Sequence, residues 1–341
     1  MPPTSDGRTG TDGAARFFAS SRVVIVAGKG GVGKTTVTAA LALAAARVGL
    51  APLVVELEGK SGLASMFGVD DLDYAEAELA AADPEAGTGA VQARTLTPDE
   101  ALIEYLNDNG LKRLSKRLVS SGVVDMVSTA VPGLRDIIVL GKVKQIEQTM
   151  RKGDGDDAPD VVIIDAPAAG HAITFLRSAH GLVDAVRVGP IRAQALDVQA
   201  MLTDATRVQV VLVTLPEETP VNELVETAYS LEDEVGVSLG PVVVNGLYPE
   251  IDGLDVDPKA AAKAAGTRLR AGEATALADA ATFRLHRTAL QREQVERLAE
   301  RLPLHPIRLP FLFDAELDPE GLSILADAVL DGLADLPQVE P

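Results

Sequence analysis

Cysteine is absent from all 341 residues, and that removes disulfides, thiolate metal sites, iron–sulfur clusters and thiol nucleophiles together. Long hydrophobic runs are missing too: no apolar stretch approaches the ~20 residues that a membrane-spanning helix needs. The opening residues, MPPTSDGRTGTDGAARFF, carry Gly, Ser, Thr and Asp where a signal peptide is apolar. Residues 1–19 are therefore expected to form a mobile leader, and the chain is expected in the cytoplasm with no integral membrane segment. Basic charge is scarce, with 31 Lys and Arg against 50 Asp and Glu and a formal net charge of −19. Such a balance disfavours adsorption to DNA or anionic lipid, both polyanions, and no nucleic-acid partner is expected. From Asp314 to Pro341 there are eight acids and no Lys or Arg, which reads as a solvated acidic helix face followed by a tail from residue 337.

What the chain does carry is a regular alternation. Short β-branched runs are VVIVA (23–27), PLVVEL (52–57), VVIID (161–165), VQVVLVT (208–214), PVVVN (241–245) and HPIRLP (305–310). Between them lie Ala- and Leu-rich stretches such as LALAAARVG (41–49). Fully apolar strands divided by helical segments predict an α/β fold with a doubly wound, mostly parallel sheet. The length and a hydrophobic content of 47% fit one large domain, placed at residues 20–336. The gap between PLVVEL and VVIID is longer than the rest. Residues 97–150 show helical periodicity punctuated at Gly110, Gly122 and Pro132-Gly133, which predicts an inserted helical layer. RKGDGDDAP (151–159) then reads as a charged turn back into the sheet.

Directly after the first strand stands GKGGVGKTT (28–36). Its G-x-x-x-x-G-K-[ST] spacing, in a strand-loop-helix context, is that of a P-loop NTPase. Glycines at 28, 30, 31 and 33 let the backbone turn its N–H groups inward, forming a nest for a phosphate at a helix N-terminus. The candidate nucleotide-binding residues are Gly28, Gly30, Gly31, Val32, Gly33, Lys34, Thr35 and Thr36. Lys34 is expected to bridge the β- and γ-phosphates of ATP, and the Thr35 hydroxyl to ligate Mg²⁺. Asp165, which closes VVIID at the carboxyl end of an apolar strand, is the second candidate for the metal.

The loop GKGGVGKT, with Lys29 as its second residue, resembles the deviant Walker A of the signature-lysine P-loop ATPases. That class holds MinD, ParA, the nitrogenase iron protein and the ArsA-type ATPases of arsenite pumps and tail-anchored-protein targeting. The segment DAPAAGHAITFLR (165–177) is similar to the ArsA-type switch II, close to D-T-A-P-T-G-H-T-L-R-x-L, and selects that branch. VTLPEETPVNELVE (213–226) resembles the family's Pro-Glu stretch, and VVVN ends in Asn245 where the family has its adenine-reading asparagine. The likeness runs from about residue 22 to 330 and points to the actinobacterial anion-transporting ATPase group. It implies a dimer in which Lys29 reaches across the subunit interface to the partner's nucleotide, as an arginine finger does. It also implies that Pro310 and Phe311 wall the adenine. On the residues alone, Lys29 is equally an exposed loop lysine, and Pro310-Phe311 a strand-to-loop turn.

Departures from the family narrow the function. Its switch I usually reads S-T-D-P-A-H-S, and the matching segment here is EGKSGLASMFG (58–68), which puts Glu58 where the water-orienting aspartate stands. A displacement near 1 Å at such a residue costs about a hundredfold in rate, so slow hydrolysis by this chain alone is expected. A heterodimer with a paralogous ArsA-type subunit, or a homodimer, follows as the expected assembly, serving an unknown client protein or transporter. The alternative is a nucleotide-binding regulatory or scaffold subunit with little hydrolysis of its own. Without cysteine, arsenite sensing, a zinc clasp and cluster ligation all fall away. EGLSILADAVLDGLADL (320–336) is acidic, unlike a MinD-type membrane helix. LKRLSKRL (111–118) reads as a core-packed helix with a solvated basic side, or as a docking patch. VVDMVSTAVPGLRDIIVLGKV (123–143) reads as core, or as a client-facing surface.

Overall fold

The computed structural model describes residues 7–57, 62–108, 133–153, 158–314 and 316–337. An eight-stranded sheet runs in the order β3-β4-β2-β5-β1-β6-β7-β8. Its strands are β1 (Val23–Gly28), β2 (Pro52–Leu57), β3 (Ala77–Ala80), β4 (Val91–Leu96), β5 (Val161–Ala168), β6 (Val208–Thr214), β7 (Ser238–Leu247) and β8 (Pro306–Pro310). Every pairing is parallel except that of β3 with β4. This is the α/β, mostly parallel architecture that the apolar runs predict.

The two-residue period of each strand divides it between two helical layers. Val24, Val26, Val54 and Ile163 face one core, shared with α1 (Gly7–Ser20), α2 (Lys34–Arg47) and α11 (Pro319–Ala334). Val23, Ile25, Val55 and Ile164 face the other, covered by α5 (Leu134–Lys152), α6 (Ala169–Ala185), α7 (Pro190–Leu202) and α8 (Glu218–Ser230). Burial on both faces is why these strands are apolar throughout, each large side chain contributing about 1.5–3 kcal/mol of transfer free energy. Helix α2 is almost entirely buried, and its alanines allow that close approach while favouring the helix. The remaining helices are α3 (Leu63–Met66), α4 (Pro98–Asp108), α9 (Pro258–Ala264) and α10 (Glu273–Arg301). Of the 29 residues of α10, only Gln291, Val295 and Leu298 are buried; its first half exposes Leu277, Phe283 and Leu285.

Three features differ from the sequence expectations. Of residues 1–19, expected to be a mobile leader, residues 7–19 belong to the helix Gly7–Ser20, which buries Ala14, Phe17 and Phe18 in the same core as Leu333 of α11. Strands β3 and β4 were not foreseen. VQARTL carries Gln, Arg and Thr among its apolar residues, yet Arg94 and Thr95 are buried and partnered, Arg94 with Glu76 at 3.2 Å and Thr95 with Glu56 at 3.1 Å. Within the inserted layer, α4 and α5 are helical, while residues 109–132, and with them the LKRLSKRL segment, lie outside the described residues. Helix α5 is tied down by fully buried Glu147, whose two oxygens receive Arg207 Nε at 3.1 Å and Nη2 at 2.6 Å.

Candidate functional site

The carboxyl ends of β1 and β5 frame the loop from Gly28 to Gly33. Gly28 has no room for a side chain, since a Cβ there would lie 2.4 Å from the Val213 carbonyl oxygen of β6. Gly31 and Gly33 hold φ of 84° and 88°, the left-handed region that suits glycine. Helix α2 starts at Lys34 with no side-chain cap, so the N–H groups of its first turn remain for a ligand. A Cβ on Gly33 would come within 2.3 Å of Asn245 Nδ2, and that same nitrogen donates to the Val32 carbonyl at 3.0 Å. Asn245 thus braces the loop from β7.

Thr35 Oγ1 donates to Asp165 Oδ2 at 2.6 Å. Asp165 is 6% exposed, and its Oδ1 has no partner among the described residues. Burial pushes its carboxyl above the usual range, with the Glu56 charge adding to the rise and the Thr35 hydrogen bond and Lys34 charge opposing it. Lys34 is shifted down by burial, partly offset by Asp165, and its Nζ rests 3.3 Å from the Lys29 carbonyl oxygen. An unpartnered, buried carboxylate oxygen beside a threonine hydroxyl, next to a glycine nest with a lysine, fits a phosphate-bound divalent cation. No group of three or more His, Cys, Asp or Glu that could hold a metal occurs among the described residues.

Lys29 is exposed, and its Nζ pairs with Glu223 Oε1 of α8 at 2.6 Å. Pro310 closes β8 opposite Leu247, and Phe311 N–H donates to the Leu247 carbonyl at 2.7 Å. The Phe311 ring packs on Tyr248 and on Phe313, each at 4.9 Å between centroids, with Arg284 over Tyr248 at 4.4 Å. Gln291 of α10 accepts from Tyr248 N–H at 2.9 Å and donates to the Gly246 carbonyl at 3.1 Å. Pro310 and Phe311 thus pair with the end of β7, and Asn245, two residues before Leu247 on that strand, is joined to the loop. Glu58 lies outside the described residues. The sequence reading missed Glu56 and Glu223; an acid inside the apolar PLVVEL run was the available signal for the first, and none marked the second.

A glycine nest opening a helix after the first strand, faced by a carboxylate from the neighbouring strand, defines a P-loop nucleoside triphosphatase. Comparison with known proteins then gives the branch: residues 21–188 match the ArsA family, described as anion-transporting ATPase. The ATPase BagA of Mycobacterium tuberculosis is 35% identical over 267 residues, covering 77% of this chain and 74% of that protein. The ATPase get3 of Schizosaccharomyces japonicus is 26% identical over 157 residues, covering 46% and 44%. The ATPase ARSA1 of Chlamydomonas reinhardtii is 23% identical over 274 residues, covering 64% and 34%. The chain belongs to the ArsA family and is an ATPase. Among the described residues no helix is long and apolar enough to cross a membrane.

Proposed function

We propose that this ATPase works as a Mg²⁺-dependent nucleotide switch that completes its site with a second ArsA-type subunit and serves a client protein or transporter. The observation that carries the reading is the Thr35–Asp165 contact at 2.6 Å, with the second Asp165 oxygen buried and unpartnered at the mouth of the glycine nest. When bound, the cation neutralises phosphate charge. Thr35 and Asp165 hold it, the loop N–H groups and Lys34 hold the phosphates, and Asn245, Pro310 and Phe311 form the base side of the pocket. Asn245 links the two halves, because the amide beside the base also fixes the Val32 carbonyl.

Lys29 is the residue assigned to the partner's nucleotide. Its ammonium is held within its own chain by Glu223, so it reaches a facing subunit only once that pair opens. Glu58, in place of the shorter aspartate, supports slow turnover by the isolated chain. Turnover is expected to require Mg²⁺, to vanish in Lys34→Ala, and to fall about a thousandfold in Lys29→Ala with ADP affinity retained, as for loss of a finger residue. Sedimentation with ADP and aluminium fluoride, alone and with a co-expressed paralogue, reports the assembly. Full turnover by a protein that stays monomeric throughout refutes the shared site.

A further inference from the structure

Glu56 is the fifth residue of β2 and is 3% exposed. Its register partner in β5 is Asp165, and its partner in β4 is Thr95. Paired positions of neighbouring parallel strands project to the same face, with strands about 4.8 Å apart. Thr95, Glu56 and Asp165 therefore form a row at the carboxyl edge, on the face that carries Val54 and Ile163 and lies under α2. Thr95 Oγ1 donates to Glu56 Oε2 at 3.1 Å, anchoring one end of the row; Thr35 Oγ1 donates to Asp165 Oδ2 at 2.6 Å, anchoring the other.

Two carboxylates side by side and out of water repel one another, and the Glu56 charge is one of the influences that raise Asp165. Such a pair is relieved by a shared proton or by nearby positive charge, which Lys34 supplies in part to Asp165 and which a bound cation would increase. Direct ligation of Mg²⁺ requires an oxygen at about 2.0–2.1 Å, whereas a carboxylate one strand away suits the shell of waters that this ion retains. We propose that Glu56 is a positioning residue of the cation site, accepting a hydrogen bond from a water on the cation that Thr35 and Asp165 hold. The role rests on the Thr35–Asp165 reading of the site. It gives the chain a second, outer-sphere carboxylate there, contributed by the strand that leads directly into the Glu58 segment.

The test is a Mn²⁺ titration followed by electron paramagnetic resonance in the presence of ADP, on the full chain, for wild type, Glu56→Gln and Asp165→Asn. Outer-shell partners of metal ligands typically change affinity tenfold or more. Glu56→Gln is expected to weaken Mn²⁺ about tenfold, while ADP affinity in EDTA and the thermal midpoint of the nucleotide-free protein do not fall. A purely structural Glu56 lowers the midpoint and leaves Mn²⁺ affinity alone. Unchanged Mn²⁺ binding in Glu56→Gln, with loss in Asp165→Asn, overturns the Glu56 role and leaves the site reading standing. Unchanged binding in both overturns the site reading as well. Should Glu56→Gln not fold, Thr95→Val removes the donor that holds Glu56: weaker Mn²⁺ supports the role, and unchanged affinity overturns it.

Discussion

Replacing Gly33 by alanine separates two physical reasons for glycine at one position. The first is backbone: φ 88° and ψ 34° lie in the left-handed region, where an L side chain costs roughly 1–2 kcal/mol. The second is crowding: the new Cβ falls 2.3 Å from Asn245 Nδ2, so the amide must withdraw and its 3.0 Å bond to the Val32 carbonyl is lost. That bond contributes about 1 kcal/mol. The sum is ~2–3 kcal/mol, and if the loop must regain its shape to hold nucleotide, ADP affinity falls by roughly 30- to 150-fold. Isothermal titration of Mg·ADP measures it. In an Asn245→Ala background the crowding is gone, and Gly33→Ala should cost only the backbone share, about 5- to 30-fold. Gly33→Ala that binds ADP within a factor of three of wild type refutes the nest. An equal penalty in both backgrounds refutes the bracing by Asn245.

Glu147→Ala leaves the Arg207 guanidinium, 13% exposed, without its bidentate partner beneath α5. Breaking a buried pair from one side costs about 3–5 kcal/mol, read as a lower guanidinium chloride midpoint; a loss under about 1 kcal/mol counts against the anchor. Burial alone would push the Glu104 carboxyl up, but hydrogen bonds from Lys142 and Tyr74 and the charges of Lys142 and Arg94 outweigh it and hold it below its ordinary 4.5. A depressed carboxylate stabilises fully above its unfolded value and loses that contribution as pH falls through its folded one, so the window lies below pH 4.5. Urea midpoints on acidification should drop more for wild type than for Glu104→Gln, and equal drops would contradict the assignment.

The glycine-rich loop before α2 and six strands were legible because their chemistry is local. A glycine nest needs its spacing within eight residues, and a strand buried on both faces has to be apolar along its own length. What escaped was set by residues far apart in the chain. β4 hides Arg94 and Thr95 because Glu76 and Glu56 meet them in space. Phe17 and Phe18 look like a greasy end of a polar leader until α11, at the opposite terminus, supplies the surface that buries them. Lys29 and Glu223 are 194 positions apart, and Asn245 and Val32 are 213 apart, so neither pairing has a sequence signature. Glu56 has no motif of its own; only strand register puts it beside Asp165.

Helix α10 has mechanical consequences. Gln291 clamps it to the backbone of Gly246 in β7 and of Tyr248 just past the strand, and Arg287 reaches Glu217 at the start of α8 with a 2.6 Å contact. Beyond this pivot the helix runs on to Leu277, 14 residues away, a rigid span of about 21 Å at 1.5 Å per residue. A tilt of 10° at the pivot carries the far end by about 4 Å on that arm. The same tilt would carry Phe283, eight residues from the pivot, by only about 2 Å, and beside it Arg284 still holds the Pro249 carbonyl at 2.8 Å, so any swing of the helix would grow largest at Leu277.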